Sequence, residues 1–362
     1  MTKVYLIRHA EAEGNLFRRA QGQFDGMVTA LGRRQIEALR QRFLSIPVDA
    51  VYASDLRRAR ITAGAVAEPK GLAIQLSPRL REFGIGVWEN VPWAEWAVKD
   101  PASMAAFNRL DGFSAPGSET PEEVRRRITA EFRRIAAENE GKTVAIVSHG
   151  MALRILLGAL QGQSFEEMRS SAHSDNTAVS LVEVEGDFAR IVFRDDNSHL
   201  GEALSTFAKQ SWWRSRGGGS EPSLRFRAVD PAQDRALYLS LVRRAWDERH
   251  DPLARFSEEA YLSAAERLAA REGCAPRLAL LENEPAGLVL PLRESCWFYL
   301  LPELRGRRLG IQLIGEAVAA ARARGDDTLL CCCETEEIAA FLVHHGFSRD
   351  QLRCTLDIAL TD

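Results

Sequence analysis

Apolar positions follow two rhythms in the first half of the chain. The short runs Val4–Ile7, Ala50–Ala53 and Val144–Val147 alternate with longer stretches, Leu31–Phe43, Leu56–Ala67 and Met151–Leu160, in which apolar residues recur every three or four positions. A short continuous run fits a buried strand, and the wider spacing fits one face of a helix. Their alternation predicts βαβ units around a mostly parallel sheet, an α/β domain with three αβα layers. The second half differs. It opens with a strand over Leu224–Val229 and a helix over Ala232–Trp246. A hairpin follows, Leu278–Leu281 and Gly287–Pro291, turning at Glu282-Asn283-Glu284-Pro285. Then come a strand Ser295–Leu301, a glycine-bearing turn, an alanine-rich helix to about Ala323 and a strand Thr328–Cys333, which together predict an α+β domain with a mixed sheet. Between the halves, Ser211 to Ser223 has no periodicity and contains Gly217-Gly218-Gly219 with Pro222, a flexible linker composition. The expected organisation is therefore a domain over 1–205, a linker over 206–223 and a second domain over 224–362.

Composition narrows the classes. The 362 residues suffice for two cores, and a 46% hydrophobic, 27% charged chain is neither disordered nor collagen-like. A net charge of -3 without a basic block argues against nucleic-acid or anionic-membrane binding. Of the 47 basic residues only Lys3, Lys70, Lys99, Lys142 and Lys209 are lysines, so positive charge is carried by guanidinium forks suited to anions. No apolar run approaches the roughly 18 residues of a membrane span, and Met1-Thr2-Lys3 leads directly into a strand, so a cytoplasmic protein is expected. Cys274, Cys296, Cys331, Cys332, Cys333 and Cys354 show no CxxC spacing and read as reduced, mostly buried thiols. The three adjacent ones alternate faces on a strand and cannot converge on a metal, and no metal site is expected.

Chemistry concentrates where three of the first-half strands end. Ile7 is followed by Arg8-His9, Ala53 by Ser54-Asp55 with Arg58 one helical turn on, and Val147 by Ser148-His149. In a parallel sheet the ligand crevice lies at the carboxyl ends of the strands, so Arg8, His9, Arg58 and His149 can converge there. Two guanidinium groups, two imidazoles and nearby helix N-termini suit a dianion such as a phosphoryl group.

The segment Leu6-Ile7-Arg8-His9-Ala10-Glu11-Ala12-Glu13-Gly14-Asn15 resembles the signature of the histidine phosphatase superfamily, with its phosphoglycerate mutase-like fold. Gly22 to Asp25, Thr29-Ala30-Leu31-Gly32, Ser54 to Ala63, Leu80-Arg81-Glu82 with Trp88-Glu89, Pro116 to Thr120, Ser148-His149-Gly150 and Asn197 to Leu200 follow in the family's order, so the resemblance spans about residues 3–200. It implies a metal-independent phosphomonoesterase without a cofactor, acting on a small phosphorylated metabolite. His9 would attack phosphorus and become a phosphohistidine, Arg8, Arg58 and His149 would hold the equatorial oxygens, and Glu82 would serve as acid and then base. Asn15 and the backbone at Gln21 and Gly22 would add hydrogen bonds to the phosphate. Ala10 and Ala12 stand where relatives commonly carry Gly and a hydroxyl residue. The run from Leu80 to Glu89 is similar to the phosphatase branch, and a phosphomutase is the alternative. Trp88 to Phe113, with Trp93, Trp96 and Phe107, is expected to form a lid.

In the second half, the turn Arg305-Gly306-Arg307-Arg308-Leu309-Gly310 between a strand and an alanine-rich helix presents backbone N–H groups to an anion. It resembles the pyrophosphate-binding turn of the GNAT (Gcn5-related) acetyltransferases, over about residues 224–360. The resemblance implies acetyl-CoA as cofactor and N-acetylation of the same or a related metabolite. Arg308 stands at the first glycine position, and Leu342 stands where the family often has a tyrosine acid. A domain that only binds CoA in a regulatory role remains the other reading.

Overall fold

The computed structural model describes residues 1–171, 173–209, 222–249, 255–271, 273–292, 295–333 and 335–360. The chain divides into two compact units: Met1–Asn15, Ala20–Val91 and Trp96–Glu221 form the first, and Leu16–Arg19, Pro92–Glu95 and Pro222–Asp362 the second. Of the expected linker, residues 210–221 lie outside the described residues. Its first residues are not linker: Thr206–Lys209 is a helical turn, and the buried Thr206 hydroxyl accepts a hydrogen bond from Gln35 Nε2 at 3.0 Å.

The first unit holds six strands, β1 (Thr2–Arg8), β2 (Ala50–Ala53), β3 (Ile74–Leu76), β4 (Thr143–Ser148), β5 (Val179–Glu185) and β6 (Phe188–Asp196), in the order β3-β2-β4-β1-β5-β6. The first four run parallel, and β5 is antiparallel to both β1 and β6. Its long helices are α1 (Ala30–Phe43), α2 (Arg57–Ala67), α3 (Pro121–Glu138) and α4 (Gly150–Leu160). Alternation along each strand partitions the side chains between two cores. Ile7, Val51, Ala53, Ala145 and Val147 pack with Leu39 and Ala63 of α1 and α2, whereas Val4, Leu6, Tyr52, Val144 and Ile146 pack with Phe132 and Leu156 of α3 and α4. Burial on both faces is why these strands read as continuous apolar runs.

Helix starts follow local chemistry. The Thr29 hydroxyl accepts from Gly32 N to cap α1, and α3 begins with a capping box between Thr120 and Glu123 and with Pro121 in its first turn. The periodicity reading passed over α3, β3, β5 and β6; the Thr-Pro-Glu-Glu start of α3 was the available signal. The expected lid holds two short helices, Trp93–Lys99 and Pro101–Arg109. Its aromatic residues pack on one another: the Trp88 and Trp96 rings stack at 5.3 Å, and Phe107 and Phe113 each lie 5.5 Å from Phe83. Trp96, Phe107 and Phe113 are buried, so these rings build a core under the segment.

The second unit carries a seven-stranded sheet. Its strands are β7 (Arg225–Ala228), β8 (Arg277–Leu281), β9 (Glu284–Pro291), β10 (Cys296–Leu300), β11 (Thr328–Cys332), β12 (Ser348–Asp350) and β13 (Arg353–Asp357), in the order β12-β13-β11-β10-β9-β8-β7. The helices are α5 (Arg235–Arg249), α6 (Glu258–Ala269), α7 (Gly310–Ala323) and α8 (Glu336–His344). All neighbours are antiparallel except β10 and β11, which are parallel and registered at the single pair Cys296 and Cys331. The hairpin turn is tighter than the sequence suggested. Leu281 pairs with Glu284, leaving a two-residue turn in which Glu282 and Asn283 have φ of 52° and 74°, as a type I′ turn requires. Pro285 lies within β9, where a register shift opposite Ala279 and Leu280 accommodates it. Cys332 is exposed and the other five cysteines are buried, in keeping with strand alternation at 331–333. Among the described residues no helix is long and apolar enough to cross a membrane.

Candidate active site

Strands β2, β4 and β1 are neighbours, so the three expected strand ends meet. Arg8 pairs in register with Ser148, His9 N donates to Ser148 O at 2.9 Å, and Ser54 N donates to Val147 O at 2.9 Å. This brings Arg8, His9, Arg58 and His149 together, all buried, with the His9 and His149 ring centroids 5.1 Å apart. Glu82 joins them from the loop after β3, its carboxylate seated on the N-terminus of α4. Its Oε1 accepts from Phe83 N and Ala152 N, each at 2.9 Å, and its Oε2 from Met151 N at 3.0 Å.

His9 Nδ1 lies 2.7 Å from Ala10 O, an acceptor only, so Nδ1 carries the proton and the Nε2 lone pair is left for attack. Burial, then the charges of Arg58 and Arg8, hold the His9 imidazole well below the ordinary histidine range, and hence neutral near pH 7. His149 is lowered in the same way, by burial first and then by Arg58 and His9. Burial lowers Arg58 to about 10, and it remains charged. The Thr62 hydroxyl accepts from Ala10 N at 2.9 Å and donates to Arg58 O at 2.6 Å, tying the loop after His9 to α2.

Arg8 Nη1 donates to Ser174 O, and Arg58 donates through Nη1 to Phe24 O at 2.8 Å and through Nη2 to Gly22 O at 2.6 Å. Arg8 Nε, Arg58 Nε and both ring nitrogens of His149 are buried without a hydrogen-bond partner among the described residues. A buried donor left unpaired costs roughly 1–3 kcal/mol. Several such donors around one nucleophilic nitrogen therefore suit an anion that satisfies them together.

The expected phosphate contacts at 15, 21 and 22 are arranged differently from one another. Asn15 Oδ1 accepts from Ala12 N at 3.1 Å, which orients its amide beside the loop after His9. The Gln21 side chain is bonded to Gly14 N and Phe24 O. Gly22 is committed to the protein: its N–H donates to Glu89 Oε2 at 3.1 Å and its carbonyl accepts from Arg58, so its backbone shapes the site instead of donating to phosphate. Sequence reasoning missed Asn176, whose Nδ2 donates to His9 O at 3.0 Å, and Asp175, whose carboxylate takes Asn197 Nδ2 at 3.0 Å and Ser205 Oγ at 2.6 Å. Both lie in the loop entering β5. Because β5 is antiparallel to β1, the loop before it reaches the site, and a search confined to strand carboxyl ends passes over it.

In the second unit, Arg305, Gly306, Arg307 and Arg308 are exposed and Leu309 is buried. Gly306 and Arg308 have φ of 75° and 61°, so Arg308 holds a left-handed conformation that glycine adopts more readily. The Arg305 guanidinium is already engaged: Nε donates to Leu300 O at 3.1 Å and Nη2 to Glu248 Oε2 at 2.6 Å, while Tyr299 OH donates to Glu248 Oε1 at 2.6 Å. Helix α7 starts at Gly310 behind Leu309, with no side-chain cap on its first turn. Leu342 is fully buried on α8. Burial, with His344 and Arg308 nearby, lowers His345 to about 4.

Against known proteins, the profile described as Histidine phosphatase superfamily (branch 1) matches residues 4–197. The chain is 36% identical over 163 residues to a probable phosphoglycerate mutase, GpmB, of Yersinia pestis (strain Pestoides F), which covers 45% of this chain and 76% of that protein. Among solved structures it is similar to YhfR of Bacillus stearothermophilus, with a TM-score of 0.53 and 31% identity over 55% of this chain and 99% of that one. It is also similar to the alpha-ribazole phosphatase of Shigella flexneri, with a TM-score of 0.50 and 25% identity over 54% of this chain and 96% of that one.

Proposed function

Because the chain belongs to the histidine phosphatase superfamily, we propose that its first unit is a metal-independent phosphomonoesterase that works on a small phosphorylated metabolite through a phosphohistidine at His9. The observation that carries this reading is the set of unpaired buried donors on Arg8, Arg58 and His149 around a neutral His9 whose Nδ1 is protonated. His9 Nε2 attacks phosphorus as the ester P–O bond breaks, and Arg8, Arg58 and His149 stabilise charge on the equatorial oxygens. Glu82 supplies a proton to the leaving oxygen through Oε2, which accepts one amide where Oε1 accepts two. It then takes a proton from the water that attacks the phosphohistidine, and inorganic phosphate leaves with His9 regenerated.

A phosphomutase is the second reading, favoured by the similarity to the probable phosphoglycerate mutase of Yersinia pestis. The two separate on inorganic phosphate release from a panel of phosphomonoesters with EDTA present. Stoichiometric release supports the esterase. Transfer of the phosphoryl group to a second hydroxyl, without release, supports the mutase.

For the second unit we propose a GNAT-like fold that binds acetyl-CoA and N-acetylates the same or a related metabolite. Its strand order, the single register pair between β10 and β11, and the uncapped start of α7 after a left-handed turn support that reading. The N–H groups around Gly306 to Gly310 would hold the cofactor's pyrophosphate, and bound acetyl-CoA supplies an acetyl thioester. Leu342 offers no proton, so a CoA-binding regulator is the alternative. Calorimetry with CoA, followed by thiol release from acetyl-CoA and amine panels, separates them: binding with turnover supports the transferase, and binding without turnover the regulator.

A further inference from the structure

One carboxylate near the site does unusual work for a residue that touches no reacting atom. Glu89 accepts four backbone N–H groups: Gly22 and Phe24 donate to Oε2 at 3.1 and 2.9 Å, and Gln23 and Ile85 to Oε1 at 2.8 and 3.2 Å. Three of these donors are consecutive, so the segment 22–24 wraps its amides around a single anion, the geometry of a backbone nest. Two of the segment's three carbonyls are taken by Arg58: Gly22 O by Nη2 at 2.6 Å and Phe24 O by Nη1 at 2.8 Å. The three-residue segment is thus clamped between an anion on its amide side and a cation on its carbonyl side. Gly22 allows the close approach, because a Cβ there would lie 2.4 Å from Phe83 O and 2.5 Å from Glu89 Oε1.

Arg58 has no freedom of its own to set this arrangement. It is fully buried, Nη1 and Nη2 each donate to one of the two carbonyls, and its Nε is buried with no partner among the described residues. The direction of Nε is therefore fixed by where residues 22 and 24 lie, and their amides are fixed by Glu89.

We propose that Glu89 is a positioning residue for phosphoryl transfer, acting through the 22–24 backbone to aim the Arg58 guanidinium at the phosphoryl oxygens. The proposal rests on the phosphatase reading of the same site. A carboxamide at 89 places an N–H2 group against inward-pointing amides, so the segment shifts and Arg58 shifts with it. A misplacement of this kind costs about 100-fold in rate.

The test is a double-mutant cycle with steady-state hydrolysis of a chromogenic phosphomonoester. Glu89→Gln is expected to lower kcat/KM about 100-fold with the loss mainly in kcat. In an Arg58→Ala background the same change is expected to cost less than about 3-fold, because the group it aims is gone. Glu89→Asp, which keeps the charge and guards against a variant that does not fold, is expected to recover at least about 10-fold of the loss. Equal losses in both backgrounds, or a lowered melting temperature with unchanged kcat/KM, would overturn the proposal. A crystal structure of Glu89→Gln keeps it separate from the phosphatase reading. If intact protein hydrolyses no ester, that reading fails, whereas Arg58 still bonded to the Gly22 and Phe24 carbonyls in the variant refutes the positioning role itself.

Discussion

The crevice around His9 and the Arg305–Gly310 turn are both strand-to-helix transitions rich in arginine, yet they commit their polar atoms differently. In the crevice, Arg8 and Arg58 bond to backbone carbonyls through terminal nitrogens and keep Nε buried and unpaired beside the equally unpaired His149 ring. In the turn, Arg305 spends Nε on Leu300 O and Nη2 on Glu248, and Arg307 and Arg308 are exposed. Residue type is shared and available chemistry is not. A site is marked by donors that the fold holds in place without satisfying, because only a ligand can then recover their desolvation cost.

The largest effect expected from this contrast is at His9. His9→Ala should lower phosphate release by about four orders of magnitude or more, the scale of removing a covalent nucleophile, in an assay with EDTA present. Residual activity within 100-fold of wild type would place the chemistry elsewhere. Next in size is Arg58→Ala, with a kcat roughly 10²–10³-fold lower, comparable to loss of one preorganised donor to a developing oxyanion. Arg305→Ala provides the counterpart: it should leave ester hydrolysis unchanged and lower thermal stability, since it removes the guanidinium from Glu248 Oε2 and Leu300 O.

A smaller effect is expected in the pH dependence of stability. His9 and His149 are buried and neutral, their folded values well below 6.5, so the unfolded chain binds more protons as pH falls beneath about 6.5. Stability should therefore be flat above that pH and decline below it, each histidine adding about 1.4 kcal/mol per pH unit to the slope until its folded form protonates. His149→Gln should shallow the slope by one proton in urea titrations at stepped pH; an unchanged slope would mean that His149 is already protonated in the fold. Smallest is Arg308→Gly, expected to stabilise the second unit by about 0.5–1 kcal/mol by relieving a left-handed arginine, less the added entropy of glycine.

Much of the first region was legible because its chemistry sits where periodicity breaks. Arg8-His9 and Ser148-His149 end apolar runs, and the parallel sheet turns those ends to one crevice. What escaped was contributed by backbone and by strand direction. Gly22 holds Arg58 through a carbonyl and Glu89 through an amide, neither of which leaves a trace in residue type. Asn176 arrives on the loop into an antiparallel strand, outside the rule that places ligands at carboxyl ends. The segment from Trp88 to Phe113 was expected as a lid on position, and its aromatic rings pack on one another, as such spacing more often does. In the second region, hydrophobic alternation gave the central strands, while Pro285 and the two-residue turn shifted the hairpin's limits.

The central claim is a covalent phosphoryl group on one nitrogen of one residue. Rapid acid-free quenching of intact protein with a phosphomonoester, followed by mass spectrometry of the modified peptide and phosphorus NMR, tests it directly. Because Nδ1 is held on Ala10 O, phosphorylation should appear at His9 Nε2, approach one group per chain and disappear in His9→Ala. A phosphoryl group on His149 or on His9 Nδ1, or phosphate release with no covalent species in the quenched protein, would contradict the account.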